Sequence, residues 1–366
     1  SYVLCAFIGG VLAVNGISGL TLGGLASFLA LNKSFNGPLN QISQQLNSVI
    51  MAMAGAERVF KLLDEPHEVD DGRVTLVNVN KDEAGRLSEA EMTTGHWAWK
   101  HCHEDGSVDY VELTGDVRFH DVSFGYVEGK TVLHDIELFA EPGQKLAFVG
   151  ATGAGKSTVI RALMRYYDVS EGSIEIDGVD IRDYATTDLR AKFGVVFQND
   201  TLFKDTIREN IRLGRSLSDE ALLEAARRAQ ALDFIQAQGG LDAPVAIKGA
   251  NLSGGQKQRL LIARALAGSP EILVLDDSSS ALDYKTDARL REEIRLHYAS
   301  ATKIIVAQRV SSIMHAEKIL VMENGRVIGM GTHDELMETC PLYREIGESQ
   351  IGDRRPEAAA GKGVLA

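Results

Sequence analysis

Hydrophobic positions keep one rhythm up to Asp64 and a different one from Asp116. Tyr2 to Val14 is an unbroken run of apolar and small residues. At a rise of about 1.5 Å per residue it is too short to cross a hydrocarbon core of roughly 30 Å. No basic flank precedes it and no small-residue cleavage site clearly follows, so it does not read as a signal peptide. It reads as the end of a membrane helix that begins ahead of Ser1. Asn15 to Leu20, with two glycines, predicts a short turn. Beyond it apolar residues recur at threes and fours (Leu46, Val49, Ile50, Met53, Val59, Phe60, Leu63), with Gln41, Gln44, Gln45 and Asn47 between them. This spacing predicts one long helix from Thr21 to Asp64, crossing a bilayer over Thr21 to Asn40 and amphipathic thereafter. The alternative is a buried helical hairpin of a soluble domain, which rarely goes so long without charge.

Pro66 stops the helix. Glu65 to Gly115 is polar, weakly patterned, and holds the cluster His96, Trp97, Trp99, His101, Cys102, His103. His101 and His103 would share a strand face and invite a metal reading. Ligands so close in sequence seldom close a tetrahedral site, and no second cysteine pair is present. The expectation is an inserted hairpin with Trp97 and Trp99 packed on its domain. From Asp116 the pattern becomes α/β. Strands are predicted at Val117 to Phe124, Thr131 to Phe139, Lys145 to Val149, Ser173 to Ile176, Gly194 to Phe197, Glu271 to Leu275 and Lys303 to Ala307. Helices are predicted around Ser157 to Tyr166, Ser218 to Ala231, Ser253 to Ala267 and Thr286 to Tyr298. Lys318 to Met330 reads as a hairpin turning at Asn324-Gly325, and Thr332 with Glu335 as a capping box. Gly352 to Ala366 is Ala/Gly-rich and reads as a disordered tail. The division is therefore 1–64, 65–114, 115–351 and 352–366.

Charge sharpens this division. Lys plus Arg number 38 against 51 for Asp plus Glu, a net charge of -13, which opposes a nucleic-acid partner held by phosphate neutralisation. Lys33 is the sole charge between Ser1 and Ala56, so every acidic residue lies beyond. Cys5, Cys102 and Cys340 are odd in number and far apart, which implies no disulfide framework.

Gly150-Ala-Thr-Gly-Ala-Gly155-Lys156-Ser157 fits G-x-x-x-x-G-K-[ST] between an apolar strand and a helix. Glycines let the backbone curl so that N–H groups face phosphates, and the helix N-terminus adds its dipole. Lys156 would meet the β- and γ-phosphates and the Ser157 hydroxyl a Mg2+ ion. Ile272-Leu-Val-Leu275 ends in Asp276-Asp277, an apolar strand delivering an acid beside that loop.

Leu252-Ser253-Gly254-Gly255-Gln256 opens a helix continued by Lys257, Gln258 and Arg259. Here the chain resembles the ATP-binding cassette (ABC) transporters, whose signature this pentapeptide is. Tyr126 stands 24 residues before Gly150, where the aromatic that stacks on adenine is expected. Gln198 matches the Q-loop and Ser280-Ala281-Leu282-Asp283 the D-loop. The resemblance covers roughly Asp116 to Ile346 closely and Ser1 to Asp64 loosely, as the end of the fifth and all of the sixth membrane helix of an exporter half-transporter. It implies an α/β P-loop NTPase fold, with a mixed core sheet, an antiparallel β subdomain and a helical signature subdomain, preceded by all-α transmembrane helices. It implies ATP, contacted by Tyr126, Gly150, Thr152, Gly153, Gly155, Lys156, Ser157 and Thr158. Across a head-to-tail dimer, Ser253, Gly254, Gly255, Gln256 and Asp283 would complete a site. It implies Mg2+ on Ser157, Gln198 and Asp276, catalytic roles for Asp277, Gln308 and Gln198, and a multi-pass plasma-membrane protein whose nucleotide domain is cytoplasmic. The exported substrate is not legible.

Three positions depart from the family pattern. Members that hydrolyse ATP well carry glutamate where this chain has Asp277, whose carboxylate reaches about 1.5 Å less far. A histidine expected after the Lys303 to Ala307 strand is Gln308, which cannot carry a proton or positive charge. Ile247 replaces a glutamate usual in exporters. An intact signature beside a weakened catalytic end implies a degenerate-site subunit of a multidrug-type exporter, paired with a different half-transporter rather than with itself. Competing readings are a regulatory subunit that binds ATP without turnover, and a soluble cassette ATPase, which the charge-poor first segment opposes.

Overall fold

The computed structural model describes residues 2–103, 105–199, 201–277, 281–307 and 310–352. They divide into two units, Ser1–Val69 and Asp70–Ala366. In the first, helices Tyr2–Val14 and Leu22–Leu63 flank a 3-10 turn at Ile17–Gly19. Thr21 caps the long helix by accepting the Gly24 N–H at 3.1 Å. The two helices meet where Gly9 leaves room, since a Cβ there would fall 2.3 Å from Leu25 Cδ1. No residue of the long helix is buried; Phe28, Leu31, Phe35, Ile42, Val49 and Phe60 are all exposed. The helix is continuous, as the spacing predicts. One expectation is corrected: no described helix is long and apolar enough to cross a membrane. Asn32, Lys33, Asn36 and Asn40 break the apolar run that begins at Leu22, and each polar group in a span is costly.

The second unit holds the chemistry. Its central sheet has the order Phe193–Val196, Ile272–Asp276, Thr302–Val306, Lys145–Val149, Lys318–Glu323, Arg326–Gly331. The first five strands pair in parallel and the last is antiparallel. Ile272–Asp276 is buried throughout, whereas edge strand Arg326–Gly331 alternates exposed and half-buried residues, as parallel interior and antiparallel edge strands should. Asn324 and Gly325 turn the last hairpin with φ of 48° and 75°, the left-handed pair a two-residue turn needs. A four-stranded antiparallel sheet (Leu133–Ala140, Val117–Phe124, Glu171–Ile176, Val179–Asp180) shares a core with one face of the central sheet. Helices Asp219–Arg228, Leu232–Ala237 and Gly254–Ala267 form a second core with Leu273 and Leu275. The α/β P-loop architecture and its sheets thus agree with the expectation.

Ahead of these lies a separate four-stranded sheet, ordered Leu87–Glu89, Thr75–Lys81, Trp97–Cys102, Val108–Glu112. The inserted hairpin expected here is the last two of these strands, and Trp99 is 1% exposed. His101 and His103 stack with ring centroids 4.3 Å apart, and His103 Nε2 lies 2.8 Å from Asp109. The expected tail beyond Gly352 lies outside the described residues.

Candidate functional site

The loop after Lys145–Val149 is shaped by its glycines. Gly150 has φ 152°, and a Cβ there would fall 2.2 Å from the Met322 carbonyl. Gly155 has φ 104°, with Leu133 Cδ2 2.9 Å from a Cβ. Both positions demand glycine. Gly155 is the N-cap of helix Lys156–Leu163, so the helix dipole points into the loop. The Lys156 ammonium donates to the carbonyls of Gly150 and Ala151 at 2.8 Å each. The Ser157 hydroxyl donates to Asp276 Oδ2 at 2.9 Å.

These groups line one cavity of about 590 Å3, together with Thr152, Gly153, Thr158, Gln198 and Asp277. Val132, Val306, Leu342 and Ile346 complete its wall. The last two come from helix Pro341–Gly352. Sequence reasoning does not find them, because a capping box at Thr332 marks a helix start and not what a later helix reaches. Burial pushes the Asp276 carboxyl above the ordinary carboxylate range; the Ser157 hydroxyl and then the Lys156 charge oppose this. Burial likewise lowers the Lys156 ammonium, against the pull of Asp276 and Asp277. Two hard oxygen donors held together in a water-poor corner fit a small divalent cation.

Asp277 sits at φ 51° with its N–H on the Val306 carbonyl at 2.9 Å, so the left-handed residue ends the strand and turns towards the cavity. Tyr126 is beside the cavity rather than in its wall. Its hydroxyl donates to Thr158 Oγ1 at 3.2 Å and accepts from Arg161 at 3.3 Å, and its ring meets Tyr167 edge-on at 5.1 Å. Gln308 lies outside the described residues, as does Ser280.

The signature residues stand apart and line no part of this cavity. Ser253 caps helix Gly254–Ala267 in a full capping box: Ser253 Oγ accepts the Gln256 N–H at 3.3 Å, and Gln256 Oε1 accepts the Ser253 N–H at 2.9 Å. Ser253 and Gly254 are exposed. A Cβ at Gly255 would lie 3.3 Å from the Ala281 carbonyl, so the D-loop adjoins the signature within one chain. Asp283 caps Tyr284–His297 by accepting the Thr286 N–H at 3.0 Å. The sequence-predicted residues therefore form two groups, one around Lys156 and one around Ser253.

Comparison with known proteins agrees with this geometry. Residues 133–280 match the family described as ABC transporter. The chain is 36% identical over 353 residues, 96% of its length, to the uncharacterized ABC transporter ATP-binding protein YfiC of Bacillus subtilis, spanning 53% of that protein. It is 35% identical over 347 residues to the fatty acid ABC transporter ATP-binding/permease protein of Mycobacterium bovis, covering 94% of this chain and 49% of that protein. A solved structure of a bacterial Atm1-family ABC exporter with ATP bound is similar at TM-score 0.67 and 31% identity, over 98% of this chain and 57% of the other. The chain thus spans about half the length of the curated relatives it matches. Residues 133–280 thus match the ABC transporter family, in a chain similar along nearly all its length to ABC ATP-binding/permease and exporter proteins.

Proposed function

We propose that this chain is an ATP-binding subunit of a membrane-embedded ABC exporter, which binds MgATP at its own P-loop, hydrolyses it slowly, and lends its signature helix to a different partner subunit. The observation that carries this is the separation of the two groups. Lys156, Ser157, Asp276 and Gln198 converge on one cavity, while Ser253 to Gln256 line none of it. A second anion site at an exposed helix N-terminus is of use only to a nucleotide held by another domain.

Lys156 supplies positive charge to the terminal phosphates, and the loop N–H groups cradle them. Ser157, Asp276 and Gln198 would hold Mg2+, which neutralises charge on the phosphate oxygens. Asp277 would serve as the base for the attacking water but is one methylene short, and misplacement by about 1 Å can cost a hundredfold. Gln308 offers a hydrogen bond without a transferable proton. Binding is therefore intact and turnover impaired. ATP between two such domains would close them, and closure would drive the permease segments between their two states.

Steady-state ATPase activity of the assembled pair tests this. Ser253→Ala should remove most of it, and Lys156→Ala distinctly less. The reverse order would make this chain's P-loop the working site and remove the proposal.

A further inference from the structure

The sheet built from residues 75–112 lies wholly ahead of the matched segment 133–280. Its anchors fall on one place. Trp99 packs edge-on against Tyr184, ring centroids 4.5 Å apart, and its indole N–H donates to Asp177 Oδ2 at 2.9 Å. Asp177 Oδ1 also accepts the N–H groups of Gly115 and Asp116. The N–H groups of Arg73 and Val74 donate to the Asp183 carbonyl, and that of Ala185 to Val74.

The next residues form helix Thr186–Ala191, and the same segment grips it from start to end. Asp70 Oδ1 accepts both the N–H and the hydroxyl of Thr186, at 2.8 and 2.7 Å. Asp188 Oδ2 accepts the Leu76 N–H at 3.0 Å. The ammonium of Lys192, the C-cap residue, sits 4.0 Å from the centre of the Trp97 ring. On its other side Arg190 donates to the Met164 and Arg165 carbonyls, at the end of the P-loop helix.

A helix of six residues cannot hold its place by its own hydrogen bonds. It runs through Lys192 straight into Phe193–Val196, the edge strand of the central sheet, which pairs on one side only among the described residues. Two residues further on, Gln198 enters the cavity wall. The short helix is thus clamped between the P-loop helix and the inserted sheet, and the strand that leads to Gln198 starts from its end.

We infer that the inserted sheet is a positioning element for Gln198, the Trp97 ring holding the Lys192 side chain while the Lys192 carbonyl accepts the Glu271 and Ile272 N–H groups. This rests on Gln198 acting as a Mg2+ ligand, as proposed above. Loosening the contact should then raise the Mg2+ needed to bind nucleotide without altering how nucleotide binds alone.

The test is a Mg2+ titration of the full chain at fixed trinitrophenyl-ATP, with the affinity for that probe in EDTA and the thermal midpoint measured in parallel. Trp97→Leu and Lys192→Leu should each raise the half-saturating Mg2+ by about threefold, the scale of one cation–π contact. Both should leave binding in EDTA unchanged, and Lys192→Arg should keep the wild-type value. In a Gln198→Ala background Trp97→Leu should add nothing, because both act through one ligand. A Trp97→Leu variant that moves only the thermal midpoint would overturn the inference, and so would an undiminished shift in the Gln198→Ala background. If Gln198→Ala alone leaves the Mg2+ requirement unchanged, the assignment of Gln198 falls and this inference with it.

Discussion

The two ends of the nucleotide machinery are built differently. At the P-loop end, Asp276 is 4% exposed and bonded to Ser157, and Gly150 and Gly155 of the loop leave no room for a Cβ. At the signature end, Ser253 and Gly254 lie open on the surface, and the capping box turns the helix start upon itself. A hydroxyl that accepts one bond still has a proton to donate, so the cap leaves Ser253 able to meet an anion. The first end is a cavity lined by residues of this chain. The second lines no part of that cavity, and under the proposed function it serves a nucleotide held by another domain. The same residue types therefore carry unequal consequences according to the end they occupy.

The largest expected break in that comparison is Lys156→Ala. Loss of a charged donor should weaken ATP binding to the isolated chain by about tenfold to hundredfold, read by calorimetry, while Ser253→Ala leaves it unchanged. Equal losses would merge the two ends into one site. Next comes Asp276→Asn. The fold pushes this carboxyl up, so its charged form costs stability at neutral pH, and the cost is relieved as pH falls through the raised value. The variant should melt higher than wild type in EDTA and lose the Mg2+-dependent gain in ATP affinity. The gain in the wild type should also fade on acidification sooner than an ordinary carboxylate would allow. Smallest is Ser253→Ala measured as stability. Removing the N-cap should cost about 1 kcal/mol in denaturant unfolding, a minor loss beside its predicted effect on the assembled pair.

Most of the P-loop end is legible in the sequence. The motif, the strand into Asp276 and the helix after the loop are local in sequence, and each has a period or spacing that physics ties to one geometry. The Asn324-Gly325 turn and the Thr332 capping box are legible for the same reason. What escapes is long-range. Leu342 and Ile346 reach the cavity because Tyr343 is buried against Val149 and Val310, a packing fact with no sequence signature. The Trp97 to His103 cluster reads as a hairpin, yet it belongs to four strands whose short partner Leu87–Glu89 has too few residues to show alternation. The first segment misleads in the opposite direction. Absence of acids suggests a span, but Lys33 and the asparagines around it lower the mean hydropathy of the run.

If the two sites are unequal, silencing the partner's site leaves little turnover. The chain is assembled with its partner subunit, the partner's own catalytic carboxylate is changed to the amide, and ATP turnover is followed. With Asp277 and Gln308 unchanged, turnover should be close to background. Asp277→Glu combined with Gln308→His should raise it by more than the two single changes together predict, since groups acting as one catalytic unit are not additive. A wild-type chain that already hydrolyses ATP at full rate in that background would contradict the account and leave Asp277 an ordinary catalytic base.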